Sequence, residues 1–420
     1  MLIWILSYTG KFVKVDEEYK INDIGDRNML IKETTSALEI ATQLAADFAT
    51  RAGDADKRGE LPAEDIQALK DSKYLALTIP QEYGGFGLSM RETVAAHLEL
   101  AQGSTSTALV ASMTLHIFAH MRETRAWSAA HYERFCRAVV EEGAVFNSIA
   151  SEPRLGSPSR GALFATTAVA EPDGSGWRIN GHKNWATGGT HLTHLLVSLS
   201  LQDEEPAVIL VPNHAPGVTW EATWRDALSL RASDSHDVYF KDVVVPPDHL
   251  VERRDSSLRK VPNGWFPMLA SATYLGAAVA ARNDIIKYAL ERVPTALGKP
   301  IATLPNIQRQ IGELDIQLQA ARAYLFATAA DWRDGDNRAE MMPRITATKQ
   351  FVMNMAIDSA ERALRIAGGA GMSSALPFER YFRDSRGGLS HPPMGDAALE
   401  FVGRHAIEGL EAEYKSESHA

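Results

Sequence analysis

Trp177-Arg178-Ile179-Asn180-Gly181-His182-Lys183-Asn184-Trp185-Ala186-Thr187-Gly188 is the stretch from which the fold is read. Asn-Gly between two strand-like runs is a strong tight-turn signal, so Asn180-Gly181 predicts a two-residue hairpin. Residues 145–151, 163–170, 194–200, 206–211 and 237–245 repeat the texture on both sides. They are short, often β-branched runs parted by Gly, Pro, Asn and Asp. Such spacing predicts an all-β sandwich or barrel, and Val245-Pro246-Pro247 closes it.

Outside that region the periodicity changes to that of helices. Upstream, Leu30, Ala37, Ile40, Ala41, Leu44 and Phe48 share one face at spacings of three, four and seven. A break rich in glycine, Ile79 to Ser89, precedes a helix expected from about Thr105 to His120. Downstream, Ile307, Ile311, Leu314, Leu318, Ala321 and Leu325 form an apolar seam suited to an antiparallel bundle. Comparable helices are expected over roughly 263–293, 339–367 and 395–413. The chain is therefore an α+β multidomain protein. A helical domain over 29–145 is followed by a β-domain over 146–250 and a four-helix bundle over 260–413. Residues 1–28 lack this periodicity and are expected to be an N-terminal extension.

Composition narrows the function classes. The chain has 420 residues, a formal net charge of −10 and a single cysteine. An acidic chain without a Lys/Arg-rich stripe gives no expectation of a nucleic-acid or membrane partner. One cysteine, Cys136, precludes an internal disulfide and suits a cytoplasmic protein. No Walker loop, His-Glu-x-x-His or G-x-S-x-G motif occurs, and no metal site is expected. Gly368-Gly369-Ala370-Gly371 follows a helix rather than a strand, so it predicts a glycine cap and not a dinucleotide fold.

Helix, β, helix is the order of the acyl-CoA dehydrogenase superfamily, and motifs along residues 30–410 resemble that family's. They are Pro80 to Gly87, Ser151-Glu152-Pro153 with Gly156-Ser157, Gly181 to Gly188, Phe240 to Pro246, Arg365 to Gly371 and Phe382-Arg383-Asp384. The resemblance implies a flavoprotein with FAD, or FMN as the alternative. It places Ser148, Ala150 and Ser151 along the flavin ring, Trp185 against it and Thr187 near its N5 side. A flavin asks for such a flat apolar wall and a few placed donors. Ser157 would lie near the thioester end of a substrate. His116 would either enter the substrate cavity or be a satisfied core histidine. The resemblance also implies a homotetramer in which Gly368 and Gly369 reach the flavin of a neighbouring subunit.

Two departures bear on the reaction. Family dehydrogenases take an α-proton with a glutamate shortly after the Arg-Asp motif, but Pro392 stands at that place here. Nor is there a carboxylate near Phe266-Pro267, where a second subfamily keeps its base. His391 is the expected substitute, since imidazole titrates near neutrality. The first expectation is an acyl-CoA dehydrogenase with His391 as base, an acyl-CoA substrate and a flavoprotein electron acceptor. Arg383 to Arg386 followed by His391 also resembles the superfamily's flavin-dependent monooxygenases, which need O2 and a flavin reductase. The arginine that usually meets the flavin pyrophosphate is missing from Pro294 to Gly298. Arg365 replaces a family glutamine, and its guanidinium fork suits a pyrophosphate.

Overall fold

The computed structural model describes residues 4–6, 12–14, 24–153, 163–202, 205–253 and 261–417. Strands β1 (Trp4–Leu6) and β2 (Phe12–Lys14) pair with each other. Five helices follow: α1 (Ile24–Arg58), α2 (Ala63–Asp71), α3 (Met90–Ala101), α4 (Thr105–Thr124) and α5 (Ala129–Glu142). Helix α1 thus begins six residues before Leu30, the first residue of the apolar repeat. Ser89 and Glu92 close a capping box at the start of α3, and Ser104 and Ser128 cap α4 and α5. Helix α4 is buried along nearly its whole length, which explains its lack of a polar face.

The β-domain contains β3 (Phe146–Ile149), β4 (Thr167–Ala170), β5 (Trp177–Ala186), β6 (His194–Leu201), β7 (Pro206–Pro212), β8 (Val218–Glu221), β9 (His236–Val245) and β10 (Leu250–Arg253). They make one mixed sheet in the order β10-β7-β6-β4-β5-β9-β8. Strand β6 pairs antiparallel with β7; β3 and then β4 lie parallel to it in tandem. Its apolar run, buried from Leu195 to Leu201, befits a central strand.

The hairpin expected at Asn180-Gly181 is not there. Strand β5 runs straight through both residues and pairs with β4 and β9, with a register shift between Ile179 and Gly181. Asn180 instead grips the neighbouring strand. Its Oδ1 accepts from Asp242 N at 2.9 Å and its Nδ2 donates to Asp242 Oδ1 at 3.2 Å. Gly181 is needed because a Cβ there would come within 2.4 Å of Thr166. The Asn-Gly pair lies opposite a β-bulge of β9, where Lys241 and Asp242, the latter at φ +51°, face the single residue Asn180.

The C-terminal region contains α6 (Trp265–Glu291), α7 (Pro305–Ala330), α8 (Arg338–Ala367), the short α9 (Phe378–Asp384) and α10 (Gly395–Glu417). Helices α6, α7 and α10 all pack on α8, and α6 also packs on α3 and α4. Buried Ile307, Leu314, Leu318, Ala321 and Leu325 hold α7 as its spacing predicts. Two polar devices fasten the helical regions together. His97 of α3 bonds Tyr74 at 3.2 Å and Thr273 of α6 at 2.9 Å. The buried Glu123 carboxylate of α4 accepts from Trp265 Nε1 (2.6 Å), Trp332 Nε1 (2.7 Å) and Arg338 (2.7 Å). Among the described residues, no helix is long and apolar enough to cross a membrane.

Candidate active site

Five of the residues expected at a flavin come together where β3 ends beside the end of β5. Ser148 is exposed between buried Asn147 and Ile149, and Ala150 and Ser151 are half-buried. Asn184 N–H donates to Ser151 O at 3.1 Å, which sets Trp185 beside them. Trp185 has φ +56° and is 55% exposed, although Asn184 and Ala186 on either side are buried. The backbone kink turns the indole outward. Thr187 is held from two directions: Asn147 Nδ2 donates to its carbonyl at 2.9 Å, and its hydroxyl bonds Ser235 Oγ at 2.9 Å. Ser235 in turn bonds Ser233 at 2.8 Å.

Behind this wall lies a buried ion pair, Lys183–Glu152, at 2.7 Å. Glu152 also accepts from the backbone N–H groups of Ala165 and Thr166. Burial pulls its carboxyl upward, but these bonds outweigh it and leave the pKa below the ordinary value. Burial brings Lys183 down to about 8. An exposed flat indole, small neighbours and a backing fastened by the Lys183–Glu152 pair fit a planar ring stacked from outside.

A second group surrounds His391. The Tyr274 hydroxyl meets His391 Nε2 at 2.9 Å, and Phe266 stands edge-on to the imidazole at 5.7 Å. The other edge-on neighbour of Phe266 is His116, at 5.1 Å, whose Nδ1 also meets Asn263 Nδ2 at 3.1 Å. The two histidines singled out in the sequence therefore flank one phenyl ring. Burial, then the charge of Lys349, lowers His391 to about 4. Burial lowers His116 to about 3. Both are neutral at pH 7. Buried Tyr274 is held protonated by desolvation, with the nearby Asp384 charge adding to it. Among the described residues, no carboxylate is hydrogen-bonded to His391.

Two elements join the groups. On α4, Thr114 bonds the backbone of Phe146 at the start of β3, two residues before His116. The segment 229–235 is anchored by Asp384, which accepts from Leu230 N at 2.7 Å, and holds Thr187 through Ser235. Other expected residues stand apart. Arg365 is exposed and pairs with Glu361 on its own helix. Gly368 ends α8 with φ +61°, and a Cβ at Gly368 or Gly369 would meet open space. Ser157 lies outside the described residues. A cavity of about 820 Å³ against α5, lined by Phe135, His194, His214 and Trp220, includes none of these side chains.

Tyr274, Phe266, Asn147 and Lys349 are the site residues that sequence reasoning missed. Only Lys349 left a trace: it falls on the buried seam of Ile345, Val352 and Ala356, where a cation is out of place.

Three family models match in succession: the acyl-CoA dehydrogenase N-terminal domain over 33–126, middle domain over 148–243 and C-terminal domain over 268–394. The putative acyl-CoA dehydrogenase YdbM of Bacillus subtilis is 35% identical over 372 residues, 88% of this chain and 96% of that one. Among solved structures, TdsC from Paenibacillus sp. A11-2, complexed with FMN and indole, superposes with a TM-score of 0.78 at 25% identity. The match covers 89% of this chain and 97% of that one. Butyryl-CoA dehydrogenase from Megasphaera elsdenii shares the fold, with a TM-score of 0.79 at 21% identity over 93% of this chain and all of that one.

Proposed function

Since the chain belongs to the acyl-CoA dehydrogenase family and is a flavin-dependent oxidoreductase, we propose that it introduces an α,β double bond into an acyl thioester. In this reading His391 accepts the α-proton. The observation that carries it is the state of that imidazole. Tyr274 occupies Nε2, and Nδ1 has no hydrogen-bond partner among the described residues. A pKa of about 4 lies close to that of an ordinary glutamate, about 4.3. Burial, with the charge of Lys349, thus brings the histidine near the basicity of the carboxylate it replaces, and keeps it in the accepting form at pH 7.

A bound flavin, FAD in this reading, supplies the two-electron acceptor. Ser148, Ala150, Ser151 and Trp185 hold its ring, and Thr187 offers a hydroxyl already oriented by Ser235. Arg365, Gly368 and Gly369 serve the pyrophosphate of a neighbouring subunit in a homotetramer. That assembly is supported by exposed Leu399, Ile407, Leu410 and Tyr414 on α10. Ser157 attends the thioester, and His116 bounds the substrate beyond Phe266. An electron-accepting flavoprotein would then reoxidise the enzyme.

A second reading is a flavin-dependent monooxygenase that takes FMN from a reductase. It draws on the absence of a carboxylate at His391 among the described residues, and on the likeness to TdsC with FMN and indole. Anaerobic titration of the flavin-loaded enzyme with an acyl-CoA panel separates the two. Loss of flavin absorbance supports the dehydrogenase. No bleaching, with oxygen consumption once reduced flavin is supplied, overturns it in favour of the second.

A further inference from the structure

We propose that Lys349 is a positioning residue that fixes the loop carrying His391 and holds a positive charge against its imidazole. The inference rests on the assignment of His391 as the acid–base group. Lys349 projects from the middle of α8 and is 1% exposed. A buried ammonium is costly unless each of its donors is met. Here the three N–H bonds of one ammonium meet three backbone carbonyls: His391 O at 2.6 Å, Pro393 O at 2.9 Å and Gly388 O at 3.3 Å. All three oxygens belong to the six residues around His391, and none of the salt bridges among the described residues involves Lys349. The same loop packs tightly on α6, since a Cβ at Gly388 would come within 3.2 Å of Tyr274. Lys349 thus holds the backbone of His391, and Tyr274 holds its ring through Nε2.

Carbonyl ligands have a second effect. A carboxylate partner would cancel the lysine's charge, whereas carbonyl dipoles solvate it and leave its field acting on the ring. That field is one of the two causes of the low pKa of His391. Burial lowers Lys349 itself to about 8, so it remains an ammonium at neutral pH. A planar guanidinium does not match a three-carbonyl tripod, so arginine is a poor substitute.

The test uses flavin-loaded enzyme with ¹³C-labelled histidine, the His391 ring signal being assigned through His391→Gln. Lys349→Met removes both donors and charge; Lys349→Gln keeps two N–H donors without charge. In either variant the His391 ring is expected to titrate at least one pH unit higher than in wild type. Turnover should fall by about 10–100-fold, as for a reacting group displaced by about 1 Å, with KM changed less than two-fold. If Lys349→Met does not fold, Lys349→Gln decides alone. A ring signal and titration identical to wild type in a folded variant overturn the proposal. A moved ring with wild-type turnover upholds the positioning of His391 and removes it from the chemistry.

Discussion

Trp185 keeps a large apolar side chain in solvent on a left-handed backbone, a conformation that costs a non-glycine residue on the order of 1–2 kcal/mol. In the proposed function, a flavin ring laid against the indole would offset that cost. Trp185→Ala is therefore expected to lose flavin, or shift its spectrum, while the apoprotein melts within a degree or two of wild type. Full occupancy with an unchanged spectrum would refute the placement. His391 supports a second expectation, with its sign fixed by its depressed pKa. The imidazole accepts protons above about pH 4 and is blocked below it. Turnover should thus fall as pH drops through about 4 and show no His391 step between pH 6 and 8. His391→Ala should abolish the step and cost on the order of 10²–10⁴-fold in turnover with flavin retained. A wild-type profile that rises through pH 6.5 would mean that the ring is solvated, contrary to its surroundings here.

Strand β5 shows how far local sequence reaches. Its Asn180-Gly181 has the composition of a turn, yet the choice between turn and strand is made by Thr166 and Asp242, residues on neighbouring strands. Gly181→Ala is expected to destabilise by about 1–3 kcal/mol, the usual cost of forcing atoms into a packed space. Gly181→Ala with Thr166→Gly should recover much of the loss; denaturant midpoints of the two variants check it. Helix α7 was legible because every turn repeats the same apolar demand. That Ser148, Ser151, Trp185 and Thr187 lie together was legible because contiguous motifs carry them. Tyr274 and Lys349 were not, because each matters only through where α6 and α8 meet the loop of His391. No spacing within one helix encodes a meeting between elements more than a hundred residues apart, as Tyr274 and His391 are.

At the scale of the whole molecule, the helical regions on either side of the sheet share one interior. Glu123 satisfies two indoles and an arginine from the far end of the chain. Glu123→Ala should accordingly cost about 3–5 kcal/mol, as when a buried pair loses one partner, and lower the single melting transition without splitting it. Two separate transitions would mean that the halves fold independently. Gly276 of α6 lies so close to α3 that a Cβ there would approach Leu98 O to 2.4 Å. Such a fit is specific enough to be recognised without a covalent tether. Fragments 1–253 and 261–420, produced as separate polypeptides in one cell, are expected to find each other and elute as a single complex. Gly276→Leu in the second fragment should abolish that complementation. If it does, α6 can serve as the seam of a split enzyme, switched on when its two pieces are brought together.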